Sequence, residues 1–381
     1  MEKFLRVFST NFLRFPSTPH LAKPMLSAVF FCRFIFFANF AYYKYYFAMK
    51  VVSLFAGCGG LDLGLVKSGH SIVLATDFDK DCKVTYDNNF NHELLLKDVK
   101  ELKGEEIPEY ELLTGGFPCQ GFSVANVYRD IKDERNELYL EIVRLLNETK
   151  PKYFLAENVP GILSLGKGEV VKQIVKEFSE CGDGYRVEKF LLNSADYGVP
   201  QARKRVIFLG VSNKISIEKT KLLFDNFPPK PTHSQIGGHG KKSYVTLRNA
   251  IGNLPEPYTE EGEKINNHYG TKHKVKINGY MGNRALSWDK PGPTMVGRGG
   301  GTGGPVIAVH PNLHRRFTVR ETARIQSFPD DFKFYGSISS QFRQIGNAVA
   351  VNFAYHLGKV LKDFEDGKLS RNLIEQLSIE Y

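Results

Sequence analysis

The sequence predicts an α/β protein built on a doubly wound, mostly parallel sheet, with a smaller, loop-rich second domain set into it. Three observations carry that expectation. From Lys50 onward, short apolar runs alternate with stretches of helical period, the pattern of strand–helix–strand units. The first apolar run ends in a glycine-rich turn that opens a helix, the arrangement by which such sheets bind ligands at their strand ends. Residues 212–310 then break the alternation with Pro and Gly, and helical patterning resumes after them.

Taken in order, the first 48 residues stand apart, with 15 Phe and Tyr and no period to organise them. Residues 26–43 reach the minimum length of a membrane span, but Arg33 sits at their centre and Asn39 follows, so no membrane association is expected. A secretory leader fits no better, because Tyr-rich sequence follows where a small-residue cleavage site belongs. The character changes at Met49, which is read as the start of the fold, with 1–48 an upstream extension.

Strands are expected at 51–55 and 72–76, on either side of a helix that ends near Ser68. Further strands are expected at 94–96, 111–114, 153–157, 189–192 and 206–211. Between 134 and 147, Leu138, Ile142, Leu145 and Leu146 recur at helical spacing. Pro228-Pro229, Gly237-Gly238, Pro255, Pro257, Pro291, Pro293 and the glycine run 299–304 mark the irregular region. Helical patterns at 320–327 and 341–361 bring the chain back to the first domain. The expected division is therefore 49–211, 212–315 and a return at 316–381.

Composition narrows the class. The chain has 381 residues, 42% hydrophobic and 24% charged, enough for a sizeable core. Its 35 Gly and 18 Pro come without a short repeat, which excludes collagen-like and coiled-coil architectures. The five cysteines (32, 58, 82, 119 and 181) are widely spaced and form no C-x-x-C pair, so neither a disulfide framework nor a metal site is expected. A reducing cytoplasm is the natural setting. Of the net charge of +10, residues 1–48 carry +5 and residues 211–316 carry +9, leaving the rest of the body slightly acidic. A basic middle suits a polyanion-binding module, although a solvated basic surface gives the same count.

Two loops carry chemistry. In Phe55-Ala56-Gly57-Cys58-Gly59-Gly60-Leu61-Asp62, glycines after a strand let backbone approach a ligand, and the following helix offers unpaired N–H groups. Asp77, 20 residues after Gly57 at the end of the second strand, is placed to accept from ribose hydroxyls. A tight turn alone would also explain the glycines. Asp98 either ends a third strand, where it would read an adenine amino group, or caps a helix before Lys100. The second loop, Gly115-Gly116-Phe117-Pro118-Cys119-Gln120-Gly121-Phe122-Ser123, places one thiol just after a strand, where active-site groups of such sheets lie. A small buried hydrophobe is the commoner use of a cysteine.

These residues carry a resemblance. Gly-Gly-Phe-Pro-Cys-Gln-Gly-Phe-Ser at 115–123, Glu-Asn-Val at 157–159 and Gln-Ala-Arg-Lys-Arg at 201–205 resemble the ordered motifs of DNA (cytosine-5)-methyltransferases. The glycine loop, Arg320-Glu321-x-Ala-Arg-Ile-Gln-x-Phe-Pro and Gln344-x-Gly-Asn-x-Val complete the series, from Val51 to about Val351. Outside the segment from Leu286-Ser287-Trp288 to Pro293-Thr294, residues 212–310 match weakly.

The resemblance implies an S-adenosylmethionine-dependent, Rossmann-like methyltransferase acting on C5 of cytosine in a short duplex DNA sequence. It makes Cys119 the nucleophile at C6 and Glu157 the acid at N3, with Arg203 and Arg205 beside the base. It implies that S-adenosyl-L-methionine is held by Phe55, Gly57, Gly59, Gly60, Leu61, Asp77, Asp98, Val99, Pro118, Leu138, Asn347 and Val349. Asp77 stands where the family usually has Glu, so Asp79 is a candidate helper. A base inside a duplex must be flipped out to meet a thiol, and the basic middle region becomes the target-recognition domain. Its DNA-contacting candidates are Lys272, Lys274, Lys276 and Arg298. A monomer is expected, in a restriction–modification setting with a cognate endonuclease that shares the site. RNA cytosine methylation, a silent DNA-binding regulator and a nicotinamide-dependent oxidoreductase are the rival readings. The length of the variable region favours DNA, the intact Cys119, Glu157 and Arg203 disfavour the regulator, and nothing in an oxidoreductase needs the Pro-Cys loop.

Overall fold

The computed structural model describes residues 48–117, 138–271, 274–280, 282–297 and 306–369. The sheet begins with β1 (Lys50–Leu54), followed by α1 (Gly60–Ser68), β2 (Ser71–Asp77), α2 (Lys80–Asp87), β3 (Leu95–Leu96) and β4 (Leu112–Gly116). Next come α3 (Leu138–Thr149), β5 (Tyr153–Asn158), α4 (Glu169–Glu180), β6 (Tyr185–Asn193) and β7 (Lys204–Ser212). The seven strands lie in the order β3-β2-β1-β4-β5-β7-β6. The first five are mutually parallel, and β7 runs antiparallel to both β5 and β6. The expected doubly wound, mostly parallel sheet is therefore present.

Alternation along the strands explains the layering. On β1, Val51 packs with α1, while Val52 and Leu54 pack on the opposite face with residues of α3 and α4. All six residues of β5 are buried, as expected for a central strand covered on both faces. On α4, Val171, Ile174 and Phe178 are the buried stripe, at helical spacing.

The basic middle region is less separate than its composition suggests. Helix α5 (Ile217–Asn226) is capped by Ser216, and Leu223 together with Phe227 joins the core of the main sheet. A small parallel pair, β8 (His233–Ser234) and β9 (Lys242–Ser243), and the short helices α6 (Leu247–Ile251) and α7 (Glu260–Glu263) follow. Leu247, Ile251, Met295 and Ile307 share one apolar cluster with the C-terminal helices α8 (Val319–Ile325), α9 (Ile338–Asn347) and α10 (Val351–Glu365). The helical pattern expected at 341–361 is two helices, because Ala348 and Ala350 adopt extended backbone between them. No described helix is long and apolar enough to cross a membrane, and residues 26–43 lie outside the described part.

Candidate active site

In the strand order, β1 and β4 are neighbours whose following connections leave in opposite directions. The crevice outside their carboxyl ends is where doubly wound sheets bind ligands. The glycine loop follows β1, and the Pro-Cys loop follows β4.

Phe55 and Gly57 both have positive φ, 53° and 57°. At Gly57 an added Cβ would meet nothing within 4 Å, so the loop presents bare backbone to open space. The Gly57 N–H donates to Asp77 Oδ2 at 2.8 Å, and the Asp79 N–H donates to Asp77 Oδ1 at 2.9 Å. Asp77 thus ties the loop to the end of β2, and burial raises its carboxyl above the ordinary aspartate value.

Several expected cofactor residues also make internal contacts. A Cβ on Gly60 would collide with the Val349 carbonyl, and one on Gly59 with the rings of Tyr86 and Phe90, so these glycines permit close packing. Leu61 and Val99 are buried in the two cores on either face of the sheet. Asp98 is exposed and accepts the Lys100 N–H at 3.0 Å, the helix-cap alternative. Asp79 caps α2 and accepts from Arg343 at 2.9 Å, so it is not placed as a helper to Asp77. Leu138 is half-buried at the start of α3, Asn347 is exposed, and Val349 is buried between α9 and α10.

One residue that sequence reasoning missed stands beside Asp77. Phe78 is 68% exposed at the end of β2, an aromatic face of the kind that stacks on a planar ring. Its position directly after the strand-end acid was the available signal.

The catalytic candidates converge on β4, β5 and β7. Glu157 pairs in register with Gly116 on one side and Ile207 on the other. Its Oε1 lies 2.6 Å from Arg205 Nε, and its Oε2 lies 3.4 Å from where a Cβ on Gly116 would stand. Asn158, 1% exposed, donates to the Phe117 carbonyl at 3.5 Å and so reaches the first residue of the Pro-Cys loop. Pro118 and Cys119 lie outside the described residues. Cys119 is three residues past Gly116 in the sequence.

Arg203 differs from expectation. It precedes β7 and is 3% exposed, and its guanidinium donates to the carbonyls of Met295 (2.7 Å) and Gly346 (2.9 Å). Its Nε has no partner among the described residues. Burial, with the Arg205 charge close by, holds its pKa well below the usual arginine range. Alternate spacing places both arginines near Glu157, but only Arg205 pairs with it.

Other motif residues are structural. Arg320 is fully buried and donates to the carbonyls of Asn266, Pro329 and Phe332. Gln201 joins the Met295 N–H to the Gln326 side chain, each at 2.8 Å. Of the expected DNA contacts, Lys274 and Lys276 are exposed, while Lys272 and Arg298 lie outside the described residues.

The chain resembles known proteins over most of its length. The family model of C-5 cytosine-specific DNA methylases matches residues 49–363. The chain is 37% identical to the Type II methyltransferase M.FnuDI of Fusobacterium nucleatum, over 83% of this chain and 94% of that protein. It is 37% identical to the Type II methyltransferase M.MthTI of Methanothermobacter thermautotrophicus, over 84% of this chain and 99% of that protein. Among solved structures, a prophage-encoded candidate DNA modification methyltransferase from E. coli superposes with a TM-score of 0.65 at 28% identity, covering 84% of this chain and all of the other. Dnmt2 of S. pombe, at 21% identity and a TM-score of 0.56 over 84% of this chain and 99% of that one, shares the fold. The chain belongs to the C-5 cytosine-specific DNA methylase family.

Proposed function

We propose that this enzyme methylates C5 of a cytosine flipped out of a short duplex DNA site, through a covalent bond between Cys119 and C6, with S-adenosylmethionine as donor. The observation that carries the reading is the Glu157–Arg205 pair facing Gly116, three residues upstream of Cys119. Thiolate addition at C6 makes C5 nucleophilic and leaves charge on the ring, which a carboxyl at N3 relieves. Glu157 serves there through Oε2, while Arg205 holds Oε1 and the base carbonyl side. Once C5 has gained the methyl group, loss of its proton and expulsion of the Cys119 thiolate restore the aromatic ring.

The crevice fits the donor. Bare backbone at Gly57, the start of α1, the carboxyl of Asp77 and the rings of Phe55 and Phe78 supply a cradle, a helix N-terminus, a hydroxyl acceptor and stacking faces. S-adenosylmethionine, when bound, supplies an electrophilic methyl group. The basic middle region supplies target recognition, and the Type II names of the relatives support a modification role beside a restriction endonuclease.

A duplex containing 5-fluorocytosine tests the mechanism, because fluorine at C5 blocks release of the thiolate. With S-adenosylmethionine present, the wild type should form an adduct that survives denaturant, and Cys119→Ala should form none while still binding DNA. An adduct with the alanine variant would refute the assignment of the nucleophile.

A further inference from the structure

Arg203 joins the basic middle region, which the reading above gives to DNA, to the end of α9, just before Val349, whose carbonyl packs over Gly60 of the glycine loop that the same reading gives to the cofactor. Nη1 donates to Met295, which lies in the basic middle region three residues before Arg298. Nη2 donates to Gly346, in the last turn of α9, next to Asn347 and three residues before Val349. The two segments also touch directly. A Cβ on Gly346 would collide with the backbone of Val296 and Gly297, and one on Gly297 with the Asn347 side chain and the Arg343 carbonyl.

A second link runs in parallel. Gln201, fully buried, accepts the Met295 N–H and donates to Gln326, whose own amide donates to the Ile345 carbonyl at 2.8 Å. Both bridges start from residues 201–203, two to four positions before Arg205, so the junction abuts the base pocket. An arginine this deeply buried is costly unless its donors are satisfied, and here two of them fasten carbonyls from segments about 50 residues apart.

We propose that Arg203 is a positioning residue that couples cofactor binding to DNA binding, by holding the Met295–Gly297 stretch and the end of α9 as one unit beside Glu157 and Arg205. The proposal rests on the function proposed above. A ligand that orders either segment orders the other, so the second ligand meets a prepared site, and the effect is reciprocal.

Calorimetric titration of S-adenosylhomocysteine tests this, without and with a saturating duplex that carries the site the enzyme methylates, followed by the reciprocal DNA titration. The wild type should show the same coupling in both directions, on the order of 5–150-fold. Arg203→Lys keeps a charge but lacks the planar fork that holds two carbonyls, and its coupling should fall to about twofold or less. Gly346→Ala forces the same segments apart without replacing Arg203 and should give the same loss, so the test stands even if one variant folds poorly, which thermal unfolding reports. Wild-type coupling retained in both variants, or no coupling in a wild type that methylates DNA, would overturn the proposal and leave the function standing. A wild type that binds neither ligand would overturn both.

Discussion

Asp62 is a carboxyl group with no exposed surface, one turn into the helix that follows the glycine loop. Ser53 donates to one of its oxygens at 2.6 Å and Tyr86 to the other at 2.7 Å, and Tyr86 meets His92 at 3.0 Å. Burial outweighs these bonds and pushes the Asp62 carboxyl from 3.8 to about 6. A raised carboxyl means that the folded state holds a proton the unfolded chain has already lost. The penalty is therefore full above the folded value and is relieved as pH falls through 6 toward 4. Asp62→Asn should abolish this pH dependence. Urea unfolding of the two proteins at pH 7.5 and pH 4 should show the wild type gaining roughly 2 kcal/mol on the variant at the lower pH. Parallel pH profiles would show that Asp62 does not titrate in this way.

Glu157→Gln keeps the shape of the side chain but cannot supply an acidic proton. Turnover should fall by about 10²–10⁴-fold with cofactor binding retained, and an unchanged rate would remove Glu157 from the chemistry. The motifs named Glu157 and Arg205, and the structure pairs their side chains. The internal bonds of Arg203 and Asp98 were not legible, because spacing names a residue without naming its partner. The partners of Arg203 lie about 90 and 140 positions away, at Met295 and Gly346.

At the scale of elements, α1 meets α10 through Gly64, where a Cβ would collide with Ala354 and with the backbone of Val351 and Tyr355. Helix propensity alone would favour alanine at this position by about 1 kcal/mol. Overpacking should reverse the sign, so Gly64→Ala should lower stability by about 1–3 kcal/mol, measured by chemical denaturation. A stabilised variant would mean that the helices do not pack this closely. Strands were readable because alternation and continuous apolar runs report burial directly, as on β1 and β5. The break between α9 and α10 was hidden because Ala348 and Ala350 fit a helical apolar face. At the break the Val349 carbonyl packs over Gly60, a contact between distant segments that periodicity cannot reveal. Short β3, with two exposed leucines, falls within the apolar run expected as a strand at 94–96.

At the scale of the whole molecule, charge and fold divide the labour. The basic middle region carries +9, but part of that charge is committed internally. Arg315 pairs with Glu256 and Glu321, Arg248 with Asp289, and Arg316 donates to carbonyls of Lys274, Gly282 and Ile307. Lys274 and Lys276 are exposed, as the phosphate contacts proposed for them require. DNA affinity should fall with salt at a log–log slope of about −0.9 per phosphate neutralised. Lys276→Ala should flatten that slope by about one unit at an unchanged target site. A salt-independent affinity would remove the region from its role. Composition showed this basic middle correctly, but it could not show that Leu247, Met295 and Ile307 share a core with α8 and α9.

Expressing the wild type and Cys119→Ala in a host lacking cytosine methylation, and sequencing the bisulfite-treated DNA, shows whether the chain methylates cytosine through this thiol. Cytosines should be protected at one short sequence by the wild type and at none by the variant. No protected cytosine in the wild type, or the same protection in both, would contradict the proposed function.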